Sequence, residues 1–65
     1  MKYWKINRNF QSEYVANSYR QAIMLSPRTS LYHYNLGEVL LKLGKTNYAI
    51  NAYCYAVYLN LKSTL

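Results

Sequence analysis

Residues 47–61, NYAINAYCYAVYLNL, repeat the pattern of residues 13–27, EYVANSYRQAIMLSP, and this self-similarity decides how the chain is read. A shift of 34 positions pairs Tyr14/Tyr48, Asn17/Asn51, Tyr19/Tyr53, Ala22/Ala56 and Leu25/Leu59 as identities. That is five of fifteen positions, where an unrelated alignment gives about one. Val15/Ala49, Ala16/Ile50 and Ile23/Val57 keep their apolar character. In the second copy Ala49, Ala52, Tyr53, Ala56 and Leu59 fall along one helical stripe. In the first copy Val15, Tyr19, Ala22 and Leu25 do the same.

Working outward, turn and cap residues divide the chain into helices ending at about residue 9 and spanning 12–26, 30–43 and 46–61. Ser12 and Thr46 stand where helix N-caps are expected, as does Thr29 or Ser30. Pro27 ends the first copy because proline has no N–H to donate within a continuing helix. Gly44 is the expected left-handed residue after helix 30–43. Within that helix, YNLGEVLLKLGK (34–45) carries Leu36, Val39, Leu40 and Leu43 on one face. Gly37 interrupts this face at a cost of about 1 kcal/mol relative to alanine. No strand pattern, low-complexity tract or linker is present.

Composition narrows the function classes. A chain of 65 residues buries only about 60% of its unfolded surface. Its single cysteine allows no internal disulfide to strengthen a thin core. Nine tyrosines supply much of the apolar content, and their hydroxyls favour rims and interfaces. Eight Lys/Arg against Glu13 and Glu38 give a net charge of +6. The positive charges are scattered, so a solvated basic surface attracting acidic partners is preferred to a nucleic-acid-binding tail. The N-terminal MKYWKINRNF has no continuous apolar stretch, so no signal peptide is expected, and no window approaches the roughly 18 apolar residues of a membrane span. The lone Cys54 fits an intracellular, reducing compartment.

HYNLGEVLLKLGKTNYAINAYCYAVYLNL (33–61) resembles the tetratricopeptide repeat, a 34-residue helix–turn–helix unit. His33 takes the leading aromatic position, Leu36-Gly37 the Leu-Gly pair and Leu40 the next large position. Ala49, Tyr53 and Ala56 fall on the second-helix positions, and Leu61 replaces the closing proline. In the first copy Ala22 and Pro27 match, Val15 replaces alanine, and Lys2-Tyr3 stand where Leu-Gly is expected. The resemblance implies an all-α fold of antiparallel helix hairpins stacked as a short right-handed α-solenoid. It implies one domain, 1–65, with a truncated first repeat at 1–29 and a second repeat at 30–63. Gly37 then lets neighbouring helices approach, as Ala49 and Ala56 do.

The same resemblance implies a partner-binding groove along the first helix of each repeat. Matched position by position, it comprises Leu31, Tyr34, Glu38, Leu41 and Lys42, with Trp4, Asn7 and Arg8 from the truncated repeat. Tyr34 and Glu38 depart from the residues that clamp a C-terminal carboxylate, so that specialisation is not expected. Fewer than three repeats leave an end helix uncovered, which assigns Tyr55, Tyr58 and Leu61 to a terminal docking surface. SYRQAIMLSPRTSLYHYNLG (18–37) is loosely similar to tetratricopeptide proteins that assist photosystem I assembly in plastids and cyanobacteria, a weaker alternative.

Catalysis is not expected. His33 has no metal-spaced partner and reads as a packing histidine. Cys54 has no nearby histidine or second cysteine and reads as a small helix residue. Neither glycine opens a phosphate-binding loop. No cofactor and no metal are expected. Tyr48, Tyr53, Tyr55 and Tyr58 recur at helical spacing, where packing between helices is preferred to base stacking. The expected function is a protein-interaction or assembly scaffold, with a partner of acidic character or a larger complex, or self-association. The alternative is a nucleic-acid- or membrane-surface-binding role for Tyr3 and Trp4 with Lys2, Lys5 and Arg8.

Overall fold

The computed structural model describes the backbone of residues 2–64 and the side-chain surroundings of residues 11–63. Three helices follow in order: α1 (Lys2–Leu25), α2 (Ser30–Lys42) and α3 (Thr46–Thr64). No strand occurs among the described residues.

α1 is a single helix, which corrects the expected interruption between residues 9 and 12. Ser12 lies inside it and caps nothing. The segment NFQSE contains neither glycine nor proline, so nothing forces the backbone out of helical geometry there. At its far end Ser26 N–H still donates to Ala22 C=O at 2.9 Å before Pro27 stops the helix. In the turn, the Ser26 and Thr29 hydroxyls share a 2.7 Å hydrogen bond. Thr29 takes the N-cap position of α2 with extended backbone, but its hydroxyl is engaged in that bond and makes no cap.

α2 ends as its sequence predicts. Gly44 has φ +79°, its N–H donates to Leu41 C=O at 3.0 Å, and Lys45 N–H donates to Leu40 C=O at 2.9 Å. This double closure satisfies carbonyls the helix leaves unpaired. Thr46 is the first residue of α3 and not its cap; Ala49 N–H reaches back to Lys45 C=O at 2.9 Å.

Short connections make α2 antiparallel to both neighbours. At one end of the α2–α3 pair the Ser30 hydroxyl donates to Asn60 Oδ1 at 2.9 Å. On the α1 side, Glu13 lies 4.0 Å from Lys45 in an exposed ion pair, worth at most about 1 kcal/mol. α2 packs against both helices, while among the described residues the backbones of α1 and α3 stay more than 8 Å apart.

The core therefore surrounds α2. Ala16 from α1, Leu36 and Leu40 from α2, and Ala49 and Ala52 from α3 are buried together, with Tyr19, Ile23, Val39, Leu43 and Tyr53 packed around them. Ala56 and Leu59 extend the buried side of α3. Only Leu36, Leu40 and Leu59 among the buried hydrophobic residues exceed alanine in size. Each contributes about 1.5–3 kcal/mol, a thin core for this length of chain.

The buried stripe of α3 is the expected one, but that of α1 is not. Ala16, Tyr19 and Ile23 face α2, whereas Val15 is exposed, Ala22 is only half-buried and Leu25 is 90% exposed. Val15 sits at the edge of the α1–α2 contact, lining a recess with Val39 and Lys42, while the core side of α1 runs through Ala16, Tyr19 and Ile23.

Candidate functional site

α2 sets the geometry of the expected groove. Leu36, Gly37 and Leu40 are buried, so residues at the opposite rotation project into solvent. Leu31, Tyr34, Glu38 and Leu41 share that stripe and are exposed, with Lys42 beside them. The structure thus brings these five expected site residues onto one helix face. Trp4, Asn7 and Arg8, the other expected groove members, lie outside the residues whose side chains are described. Lys2 and Lys5 of the alternative site do as well.

One edge of this face is built by Gly37. A Cβ added there would lie 3.0 Å from Cδ1 and Cε1 of the Tyr53 ring. Glycine therefore admits an aromatic ring from α3 directly onto the backbone of α2. Tyr53 in turn meets Tyr34 with ring centroids 5.2 Å apart and planes inclined by 58°. Burial, then the Glu38 carboxylate, then Tyr34 push the Tyr53 hydroxyl above the ordinary phenol value of 10.0. Tyr34 is thus supported from beneath while about half its surface faces solvent. Beyond it, Ser30, Leu31, Tyr34, Ala56, Val57 and Asn60 line a shallow recess of about 310 Å³.

The opposite side of the molecule carries a larger trough of about 500 Å³. Leu36, Leu40, Ile23 and Ala52 form its apolar walls, with Arg20, His33, Tyr48, Asn51 and Tyr55 around them. His33 Nε2 is 3.0 Å from Pro27 C=O, and its ring meets Tyr55 edge-on at 4.7 Å and 71°. The imidazole thus ties the first turn to α3, matching the packing role expected of it.

The terminal surface is only partly assembled as expected. Tyr55 and Tyr58 are stacked at 5.8 Å and 25°, with Lys62 Nζ 5.7 Å from the Tyr58 ring centre. Arg28 and Leu59 complete a recess of about 380 Å³ there. Leu61 does not line that recess; it projects from α3 about 60° away around the helix axis. Packing between helices accounts for Tyr53 and the His33 edge of Tyr55, while Tyr48 and Tyr58 remain mainly exposed. Cys54 is exposed on α3.

No group of three or more His, Cys, Asp or Glu that could hold a metal ion occurs among the described residues. None of their helices is long and apolar enough to cross a membrane. Compared with family models, curated proteins and solved structures, the chain matches none of them.

The sequence reading overlooked Ile50 and Val57 as surface residues. Both are exposed. The signal was present in their four- and three-residue spacing with Cys54 and Leu61 on a helix already assigned another buried stripe.

Proposed function

We propose that the chain is a tetratricopeptide-type interaction scaffold that holds a protein partner against the exposed face of α2. The observation that carries this reading is the stripe Leu31, Tyr34 and Leu41: three large side chains kept in solvent on a helix whose other side is buried. Large side chains in one exposed row are what a partner's apolar residues can bury. Glu38 lies within the row and Lys42 beside it, so the face is mixed in character. The 34-residue sequence period and the Gly37–Tyr53 contact fit the helix-hairpin unit that the resemblance implies. In a longer array such units would stack as a right-handed solenoid. The net charge of +6 favours a partner of acidic character, and no catalytic role is assigned to any side chain.

Affinity capture with the parent chain, followed by binding kinetics on the recovered protein, tests this reading. Tyr34→Ala is expected to weaken binding by about 1–3 kcal/mol, the range of a moderate hot spot. Lys42→Glu is expected to slow association, with added salt shrinking the difference. Unchanged binding in both variants, with loss in Tyr58→Ala, would move the site to the opposite side.

A second reading draws on the corner formed by Arg28, Tyr55, Tyr58 and Lys62, where two cations meet two exposed rings. That composition suits a single-stranded nucleic acid, with bases on the rings and phosphates on the cations. Binding of a short oligonucleotide that Tyr58→Ala abolishes would favour it over the scaffold.

A further inference from the structure

α3 carries two apolar stripes, and α2 uses only one. Ala49, Ala52, Ala56 and Leu59 are buried. Ile50, Cys54, Val57 and Leu61 recur at intervals of four, three and four residues, which aligns them along one exposed flank of α3, with Val57 at the edge of the recess shared with α2. Ile50 is 51%, Val57 57% and Leu61 60% exposed, and Cys54 is exposed with them. A seam with this spacing is the geometry by which two helices pack along their length.

Charge determines what covers it. From Thr46 to Leu61 α3 has no Asp, Glu, Lys, Arg or His; the first charge is Lys62. Every other cation of this +6 chain lies outside α3. An acidic partner would be drawn to those other surfaces and would find no counter-charge along the seam. A second copy, repelled elsewhere, meets no like charge here.

We infer that α3 pairs with α3 of a second copy through Ile50, Cys54, Val57 and Leu61, the two helices running antiparallel. Antiparallel packing sets Ile50 opposite Leu61 of the second copy and Cys54 opposite Val57. It separates the two Lys62 side chains by about 20 Å along the axis, more than twice the screening length at physiological salt. It brings each near the level of the second copy's Lys45, whose charge Glu13 offsets. A parallel pair would place them side by side, together with both Arg28 side chains.

The seam adjoins the α2 groove, since Val57 also lines the recess beside Leu31 and Tyr34, so the isolated full chain, with no other protein present, tests it. Sedimentation equilibrium is expected to give a monomer–dimer equilibrium with Kd of about 1–100 µM. Val57→Glu, a change at an exposed position, is expected to raise that Kd at least about tenfold, since burying an unpaired carboxylate is costly, while the circular dichroism spectrum stays helical. Leu61→Glu serves as the second variant should Val57→Glu lose helicity. Because like-charged bodies associate, added salt should tighten the dimer, whereas it weakens binding of an acidic partner. Orientation is read from disulfides. A chain with Cys54→Ser and Ile50→Cys, mixed with one carrying Cys54→Ser and Leu61→Cys, should form the mixed disulfide faster than either like pair. A chain that remains monomeric at about 200 µM, a dimer indifferent to both glutamates, a dimer weakened by salt, or faster like-pair disulfides would each overturn the proposal.

Discussion

Leu25 and Leu59 occupy the same place in two helices of the same pattern, 34 residues apart, yet one is 90% exposed and the other 7%. The reverse holds two residues earlier, on another side of each helix: Ile23 packs on the core while its counterpart Val57 is largely exposed. Each helix carries two apolar stripes, and a stripe is buried only where another helix lies beside it. α2 covers one stripe of α1 and the other of α3. The period describes what each helix could bury, and chain connectivity determines which half of that it does.

The widest gap is expected between the two leucines themselves. Leu59→Ala should cost about 2–5 kcal/mol, the cost of a buried leucine truncation. Leu25→Ala should stay within about 0.5 kcal/mol. Urea unfolding below the dimerisation range measures both; equal effects would mean that something covers the Leu25 side of α1 in solution. Ile23→Ala against Val57→Ala should repeat the contrast at about 1–2 against 0.5 kcal/mol.

Next in size is Gly37→Leu. The Tyr53 ring stands 3.0 Å from where a Cβ would be, so the larger side chain must push α3 away from α2, costing about 1–3 kcal/mol. The α1–α2 side should be untouched. A thermal midpoint equal to or above the parent's would break the link between this glycine and the burial of α3.

The smallest effect concerns Tyr53 alone. Its phenol is raised in the folded chain, first by burial. The folded state therefore favours the neutral ring, and this contribution to stability is complete below the ordinary phenol value of 10.0. It is lost as pH rises through the folded value. A tyrosinate absorbance titration should show a late-ionising ring that disappears in Tyr53→Phe. Tyr19, its counterpart in α1, packs against no glycine. Ionisation of every tyrosine in one step would remove the special place of Tyr53.

Most helix boundaries were legible because they rest on local chemistry. Pro27 and Gly44 act through their own backbone, and each stops its helix where expected. The α3 stripe was legible for a related reason: alanines at helical spacing have no other obvious use. The α1 stripe differs because the 34-residue alignment carries the α3 stripe onto Val15, Tyr19, Ala22 and Leu25, whereas α2 packs on the side of Ala16, Tyr19 and Ile23. Whether residues 2–11 fold back depends on a turn that NFQSE does not encode. The exposed row on α2 followed from matching positions to a repeat family, while the seam on α3 was hidden behind a stripe that already accounted for the helix.

The two connections hold four and three residues, and among the described residues the backbones of α1 and α3 stay more than 8 Å apart. Backbone packing thus joins neighbours along the chain, and such low contact order places folding in the microsecond-to-millisecond range. With so few buried leucines, the folded state opens often and recloses quickly, so degradation follows the open fraction. A partner present at a hundred times its Kd adds about 2.7 kcal/mol to the folded state and lowers that fraction about a hundredfold.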